Sequence, residues 1–490
     1  VADNRRWWAL VVIALAQLMV VLDMTIVNIA LPSAQTDLHM SDGNRQWVIT
    51  AYTLAFGGLL LLGGRIADLA GRRLTFMIGL LGFAAASALG GAAVNSGMLF
   101  GARALQGVFA ALLAPAALSL LTTTFSDPGE RGKAFGVFGA IVGAGAAFGL
   151  LAGGFLTQYL DWRWCLYVNV PIALVAFAGA LAVLSGGGRY EDARLDVPGA
   201  VLGSAGMLSL VYGFSEAESR SWGDGLVLGL LAAGVVLLAA FGFWQTRARV
   251  PLLPMSVVRD RQRVGAFLTI LFVTIGMFGV FLFLTYYMQR VLGYSPMKTG
   301  LAYLPITVGM ITGSTQVAAR LLNRVPPRAL IVPGLLLAAG AMAIIAQVGV
   351  APAYASHILP GMLMLGLGMG TAMMTSISLA TASVAPQDAG AASATFNTAQ
   401  QVGGSIGTAL LNTIAASVTT RYATAHAGPG VDRRALASRA AVHGFNVATW
   451  WAMGALLLAA LIAGIVVDAD RMPSPQQRAA PVPEPVESAG

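Results

Sequence analysis

Apolar runs of about 20 residues follow one another along this chain, parted by short polar breaks, and a helix of that length at about 1.5 Å per residue crosses roughly 30 Å of hydrocarbon. Read in this way, the sequence predicts fourteen membrane helices, at 7–31, 45–64, 74–94, 98–121, 134–157, 165–184, 198–215, 226–245, 264–288, 299–319, 329–349, 356–381, 390–415 and 447–467. One or two such runs make an anchor, whereas this many make a transport bundle. The first run follows Arg5 and Arg6 as a signal peptide would, but it stays apolar to residue 31 and lacks a cleavage site, so it reads as the first membrane helix. An even number of crossings puts both termini on one side. With the N-terminus inside, basic residues favour the inner segments by roughly two to one, Arg65, Arg72, Arg73, Arg320, Arg324 and Arg328 among them. Both termini are therefore expected in the cytoplasm. All nine tryptophans fall at or near expected helix ends, the headgroup level at which indoles settle.

Composition agrees with lipid as the main solvent: the 490 residues are 57% hydrophobic and 10% charged, where a soluble domain carries about 25% charged residues. The net charge of +8 is spread over short loops and forms no basic face, which excludes nucleic acid as a partner. Cys165 is the sole cysteine, and His39, His357, His426 and His443 are far apart, so neither a disulfide framework nor a metal site is expected. Arginine replaces lysine almost everywhere, Lys133 and Lys298 excepted, and Ala and Gly abound, as in a G+C-rich bacterial genome.

A faint repeat links Gly64-Arg65-Ile66-Ala67-Asp68-Leu69-Ala70-Gly71-Arg72-Arg73 with Ala319-Arg320-Leu321-Leu322-Asn323-Arg324-Val325-Pro326-Pro327-Arg328, which share arginines at the second and tenth positions and an Asp or Asn at the fifth. Such echoes mark transporters built from two related halves. The expected organisation is a six-helix bundle at 1–184, an inserted helix pair with its linkers at 185–263, and a second six-helix bundle at 264–468. Residues 469–490, rich in Pro and Glu, read as a disordered cytoplasmic tail.

An ionisable group in hydrocarbon costs about 2.5–3.5 kcal/mol even on the lenient insertion scale. Two lie well inside helices: Asp23 in the first, roughly 12 Å below its outer end, and Arg103 in the fourth, roughly 8 Å below its own. A low dielectric favours the neutral acid and a nearby guanidinium favours the ionised one, so a carboxyl balanced between them can take up and release a proton. Arg103 stays charged and can serve as the fixed counter-ion, or the two can form a static pair pinning helices together. The short basic segment Gly64, Arg65, Asp68, Gly71, Arg72, Arg73 is a candidate gating loop or a topogenic one. The fifth helix carries Gly136, Gly139, Gly143, Gly145, Gly149, Gly153 and Gly154, small residues at three- and four-residue spacing that let backbones approach and hinge. Asn28, Gln106, Tyr286, Tyr287, Asn397, Gln400 and Gln401 are the polar candidates for lining a substrate cavity.

These residues resemble a known pattern. The segment Gly64–Arg73 is similar to the signature between the second and third helices of the major facilitator superfamily. Leu22-Asp23-Met24-Thr25-Ile26-Val27-Asn28-Ile29-Ala30-Leu31-Pro32 resembles the first-helix motif of its fourteen-helix drug:proton antiporter family. Arg103-Ala104-Leu105-Gln106-Gly107 is similar to the fourth-helix motif, and Trp162-Arg163-Trp164 with Asn169-Val170-Pro171 resembles the signature entering the sixth helix. One departure is Leu150, which stands where the antiporter motif of the fifth helix has a proline. The resemblance implies an all-α integral membrane protein of the major facilitator fold, two six-helix bundles around a cavity with two inserted helices outside. It implies multidrug efflux by proton antiport from the bacterial cytoplasmic membrane, with Asp23 as the proton-linked acid and Arg103 as its partner. The substrate would be a small lipophilic compound, and the energy source the proton gradient rather than a cofactor. The protein would act as a monomer and not as an enzyme. A proton-linked importer, or an exporter of a self-made metabolite or lipid precursor, would share the fold and most of these motifs.

Overall fold

The structure is a computed structural model that describes residues 2–41, 44–125, 130, 134, 145, 148–184, 196–220, 222–248, 251–253, 255–322, 324–350, 354–381, 389–428 and 432–468. The expected tail at 469–490 and the glycines Gly136, Gly139 and Gly143 lie outside the described residues.

Helices account for nearly everything described. The order is α1 (Ala2–Asp37), α2 (Trp47–Ala70), α3 (Arg72–Gly91), α4 (Ser96–Thr124), the described part of α5 (148–159), α6 (Asn169–Val183) after a single turn at Trp164–Tyr167, α7 (Val197–Ser219) and α8 (Gly225–Gln245). There follow α9 (Arg261–Tyr286), α10 (Pro296–Ala302), α11 (Arg328–Ile345), α12 (Leu359–Thr381), α13 (Ala389–Ala425) and α14 (Arg433–Val466). Among the described residues ten helices are long and apolar enough to cross a membrane. The expected crossings at 45–64, 134–157, 264–288 and 299–319 are not among those ten.

Three expectations about boundaries are corrected. The segment Gly64–Arg73 is not a loop: α2 runs on to Ala70, α3 begins at Arg72, and Gly71 alone breaks the helix at φ 99°. A side chain is strained at that φ, so a glycine there permits a turn of one residue. The expected tenth helix is interrupted at Tyr303, resumes over Leu304–Thr312 and widens into a π turn at Gly313–Ala318. Pro305 has no N–H to give the Leu301 carbonyl, which accounts for the interruption. The segment expected to be a long loop before the last helix is mostly helical, because α13 reaches Ala425 and α14 starts at Arg433.

Two large apolar cores form. One is built from residues 9–184, around Tyr52, Phe76, Leu80 and Phe83, with a further layer of Ile26, Leu31, Trp162 and Leu166. The other draws on residues 257–467, and Ile29 and Leu150 reach into it from the first. Lipid tails are as apolar as leucine, so burial alone does not hold such helices together; close packing and interhelical hydrogen bonds do. Glycines supply the closeness. A Cβ on Gly63 would strike the backbone of Ala111, and one on Gly107 that of Tyr52, so α2 and α4 touch backbone to backbone.

Hydrogen bonds between the two cores gather at the end of the molecule where α1 finishes and α2 starts. Tyr286 donates to Gln35 Oε1 (2.6 Å), Gln289 to the Ile29 carbonyl (3.2 Å) and Arg290 to Thr36 Oγ1 (2.8 Å). Gln158 Oε1 accepts from the Met297 N–H (3.1 Å), and Gln46 Oε1 from Asn412 (2.9 Å). Helix α7 packs on both α2 and α13, beside the seam where the cores meet.

Candidate functional site

The charged residues of α1 and α4 meet inside the first core. Asp23 is wholly buried and Arg103 is 2% exposed. Arg103 Nη1 donates to Asp23 Oδ2 at 2.6 Å, a charge-assisted bond of the short kind, and also to Gln106 Oε1 at 2.8 Å. Its Nε donates to the Val48 carbonyl at 2.9 Å, and its guanidinium lies over the Tyr52 ring, 4.6 Å from the centroid. The other carboxylate oxygen, Asp23 Oδ1, accepts from Gln106 Nε2 (2.9 Å) and from Asn169 Nδ2 (2.8 Å). Gln106 Nε2 donates again, to Ser87 Oγ at 2.8 Å.

Five helices, α1, α2, α3, α4 and α6, thus contribute to one network, and α4 and α6 supply the donors to the carboxylate. Arg103 and Gln106 are three residues apart on α4 and project from one face. Removing one partner of a buried pair leaves a charge stranded, at a cost of about 3–5 kcal/mol, so each member holds the others in place. The sequence pointed to Asp23 and Arg103 through their charge. It placed Gln106 only among cavity candidates, whereas the structure puts it in the carboxylate network. Asn169 and Ser87 were not anticipated as members. Asn169 stands in the motif entering α6, and an asparagine at the head of an apolar run was the available signal.

A small void of about 10 Å³ adjoins Arg103 on the side toward Trp162, lined also by Val27, Ala34, Val48 and Cys165. It is about large enough for one water. Trp162 Nε1 donates to Asp37 Oδ2 (3.1 Å), and Arg163 Nη1 pairs with the same oxygen (2.7 Å), so an ionic cap covers the void at the end of α1.

The other candidates distribute as follows. Asn28 donates to the Met24 carbonyl of its own helix (3.1 Å). Tyr286 lies between the cores, bonded to Gln35 and covered by Arg45 at 4.1 Å from its ring centroid. Tyr287 is instead an internal brace, donating to the Gly349 carbonyl (2.7 Å) and stacked on Phe445. Gln401 is buried on α13, its Cβ 2.9 Å from the point a Cβ on Gly57 would occupy, at the contact with α2. Asn397 and Gln400 are half-buried on the same helix. Gly149 and Gly153 seat α5 on α1, where a Cβ would meet Thr25 Oγ1 and the Ile26 carbonyl. Gly145 faces Leu18 and Val21 of α1, and Gly154 faces the Pro296 carbonyl of α10. Gly64 faces Pro115, Arg72 opens α3, and Arg73 Nη2 donates to the Leu181 carbonyl (2.9 Å). Arg65 is half-buried near the end of α2; the side chain of Asp68 lies outside the described residues.

A polytopic helical bundle that buries an acid–guanidinium pair in the interior of one core is the build of a membrane transporter and not of an enzyme. The chain belongs to the Major Facilitator Superfamily, whose family model matches residues 13–408. It is 56% identical to a puromycin resistance protein of Streptomyces alboniger, over 95% of this chain and 92% of that one. It is 39% identical to a cephamycin export protein of Amycolatopsis lactamdurans, over 84% of this chain and 85% of that one. The fold is shared with an inward-facing, unoccupied bacterial homologue of the lysosomal transporter Spinster (TM-score 0.65, 18% identity, 94% of this chain and 97% of that one). It is shared as well with a peptide transporter of the POT family (TM-score 0.66, 17% identity, 94% and 97%).

Proposed function

We propose that this protein is a proton-coupled antiporter that exports small lipophilic compounds, antibiotics among them, by alternating access. In this reading fourteen helices cross the membrane, two six-helix bundles at 1–184 and 264–468 rock against one another, and the pair at 185–263 is an addition beside them. Both termini are cytoplasmic, and the end capped by Asp37 and Trp162 faces outward.

The observation that carries the proposal is the Asp23 carboxylate, buried yet matched by one guanidinium and two amides. That match is lost once the surrounding helices move. A proton then replaces the lost donors. The carboxyl is sealed in the conformation seen, so the proton must enter when the Asp37 cap opens onto the void beside Arg103. One charge crossing 100 mV yields about 2.3 kcal/mol, enough for a roughly fortyfold substrate gradient. The names of the resistance and export relatives support the direction of transport.

The test is ΔpH-driven efflux from proteoliposomes. Asp23→Asn should abolish it at unchanged protein abundance, and undiminished proton-driven transport by this variant would remove Asp23 from the mechanism. Export of a self-made metabolite is the second reading, favoured by the cephamycin export protein among the relatives. A loss of producer self-resistance on deletion of the gene would distinguish it from general drug efflux.

A further inference from the structure

The two cores tie down their last helices in the same way, with one exception. In the first, Arg5 donates to the Val183 carbonyl near the end of α6 (3.2 Å), and Arg73, at the head of α3, donates to the Leu181 carbonyl (2.9 Å). In the second, Arg261 repeats the first bond, donating to the Ile465 carbonyl near the end of α14 (2.6 Å). Arg328 occupies the position of Arg73 in the repeat, at the head of α11, but makes no hydrogen bond or ion pair among the described residues. The counterpart carbonyl, at Ala463, accepts from the Val467 N–H (3.1 Å) and from no arginine among the described residues.

Where that bond is absent a groove of about 310 Å³ opens between α11 and α14, lined by Pro326, Arg328, Ala329, Val332, Pro333 and Gly464. This is the low end of the roughly 300–1,000 Å³ range of small-molecule sites. Gly464 keeps its floor open, since an added Cβ would meet only Val332, at 3.9 Å. Pro333 has no N–H for the Ala329 carbonyl, which leaves an acceptor on the wall. Leu336, Leu461 and Ile465 around it are 50%, 58% and 62% exposed, so the groove opens to hydrocarbon. At its polar end stands Arg328, exposed, and Arg320 and Arg324, also exposed, precede it in a segment, 319–328, that contains no acidic residue.

We propose that this groove binds one anionic phospholipid, its phosphate on Arg328 and its acyl chain along Val332 and Gly464. A zwitterionic headgroup would bring its own cation against Arg328 and the basic segment before it, so the site selects net negative charge. Lipid there replaces the tie that Arg73 supplies in the first core, and joins α11 to α14 only in membranes that contain it.

The experiment is native mass spectrometry of the delipidated full-length protein with phosphatidylglycerol and phosphatidylcholine of identical chains. Phosphatidylglycerol should be retained preferentially. Arg328→Gln should lower its retention about fivefold, the effect of one surface arginine on anionic lipid. Gly464→Trp, which fills the floor of the groove against Val332, should lower it as well. Equal retention of the two lipids would overturn the proposal. So would phosphatidylglycerol binding that survives Gly464→Trp, because the lipid would then be held by loop charge alone and not by the groove.

Discussion

Asp23 accepts from three donors, and their loss should be separable. Asn169 donates to the ionised carboxylate from outside the charge pair, and a hydrogen bond to a charged group contributes about 1.5–3 kcal/mol. Asn169→Ala removes that donor and leaves the charge pair in place, so it should lower stability in thermal unfolding by about that amount and slow efflux from proteoliposomes; unchanged stability and efflux would make Asn169 a packing residue. Arg103→Gln strands the carboxylate and should cost about 3–5 kcal/mol of stability, whereas Arg103→Gln combined with Asp23→Asn should recover much of that loss. Thermal unfolding in detergent reads both. A double variant no more stable than Arg103→Gln would mean that the guanidinium is held by Val48 and Tyr52 rather than by the carboxylate. The charged members of this site were legible in the sequence because a charge inside an apolar run needs a reason. Asn169 and Ser87 were not, since neutral polar side chains in membrane helices are tolerated with or without a partner.

Helix existence was legible for the same reason that helix ends were not. Length and apolarity are set by the bilayer, and they located α4, α8 and α11 to within a few residues. Ends depend on tertiary contacts: α1 runs past Pro32 to Asp37, where Gln289 and Arg290 of the second core hold the Ile29 and Pro32 carbonyls. The junction of α2 and α3 shows the limit of composition. Gly64 and Gly71 look alike as turn formers, yet Gly64 lies inside a continuous helix and Gly71 carries the whole break. At Gly71 an added Cβ meets nothing within 4 Å, so any penalty is purely conformational. Gly71→Ala should therefore cost about 1–3 kcal/mol of stability through backbone strain, and Gly71→Asn no less, because ψ 130° lies outside the left-handed helical region that asparagine tolerates. Equal stability of the alanine variant and the parent would show that the helices can join without the glycine.

For the molecule as a whole, the placement of hydrogen bonds between the cores decides which end is shut. Tyr286, Gln289, Arg290, Met297 and Asn412 all reach across at the end that bears Asp37, and they bond to Gln35, Ile29, Thr36, Gln158 and Gln46. A transporter that alternates must break this set once per cycle, so strengthening it should stop transport and weakening it should bias the protein the other way. Gln158 and Met297 offer the stronger test, because the only cysteine, Cys165, is buried and leaves a quiet background. With Gln158→Cys and Met297→Cys together, oxidation should abolish efflux and reduction should restore it. Tyr286→Phe removes one bond of about 1 kcal/mol, which shifts the balance between the two states about fivefold toward opening at that end. Labelling of a cysteine placed at Gln35 by a membrane-impermeant reagent should rise accordingly. Full transport by the oxidised cysteine pair would mean that this end need not open, and alternating access between these two bundles would then have to be abandoned.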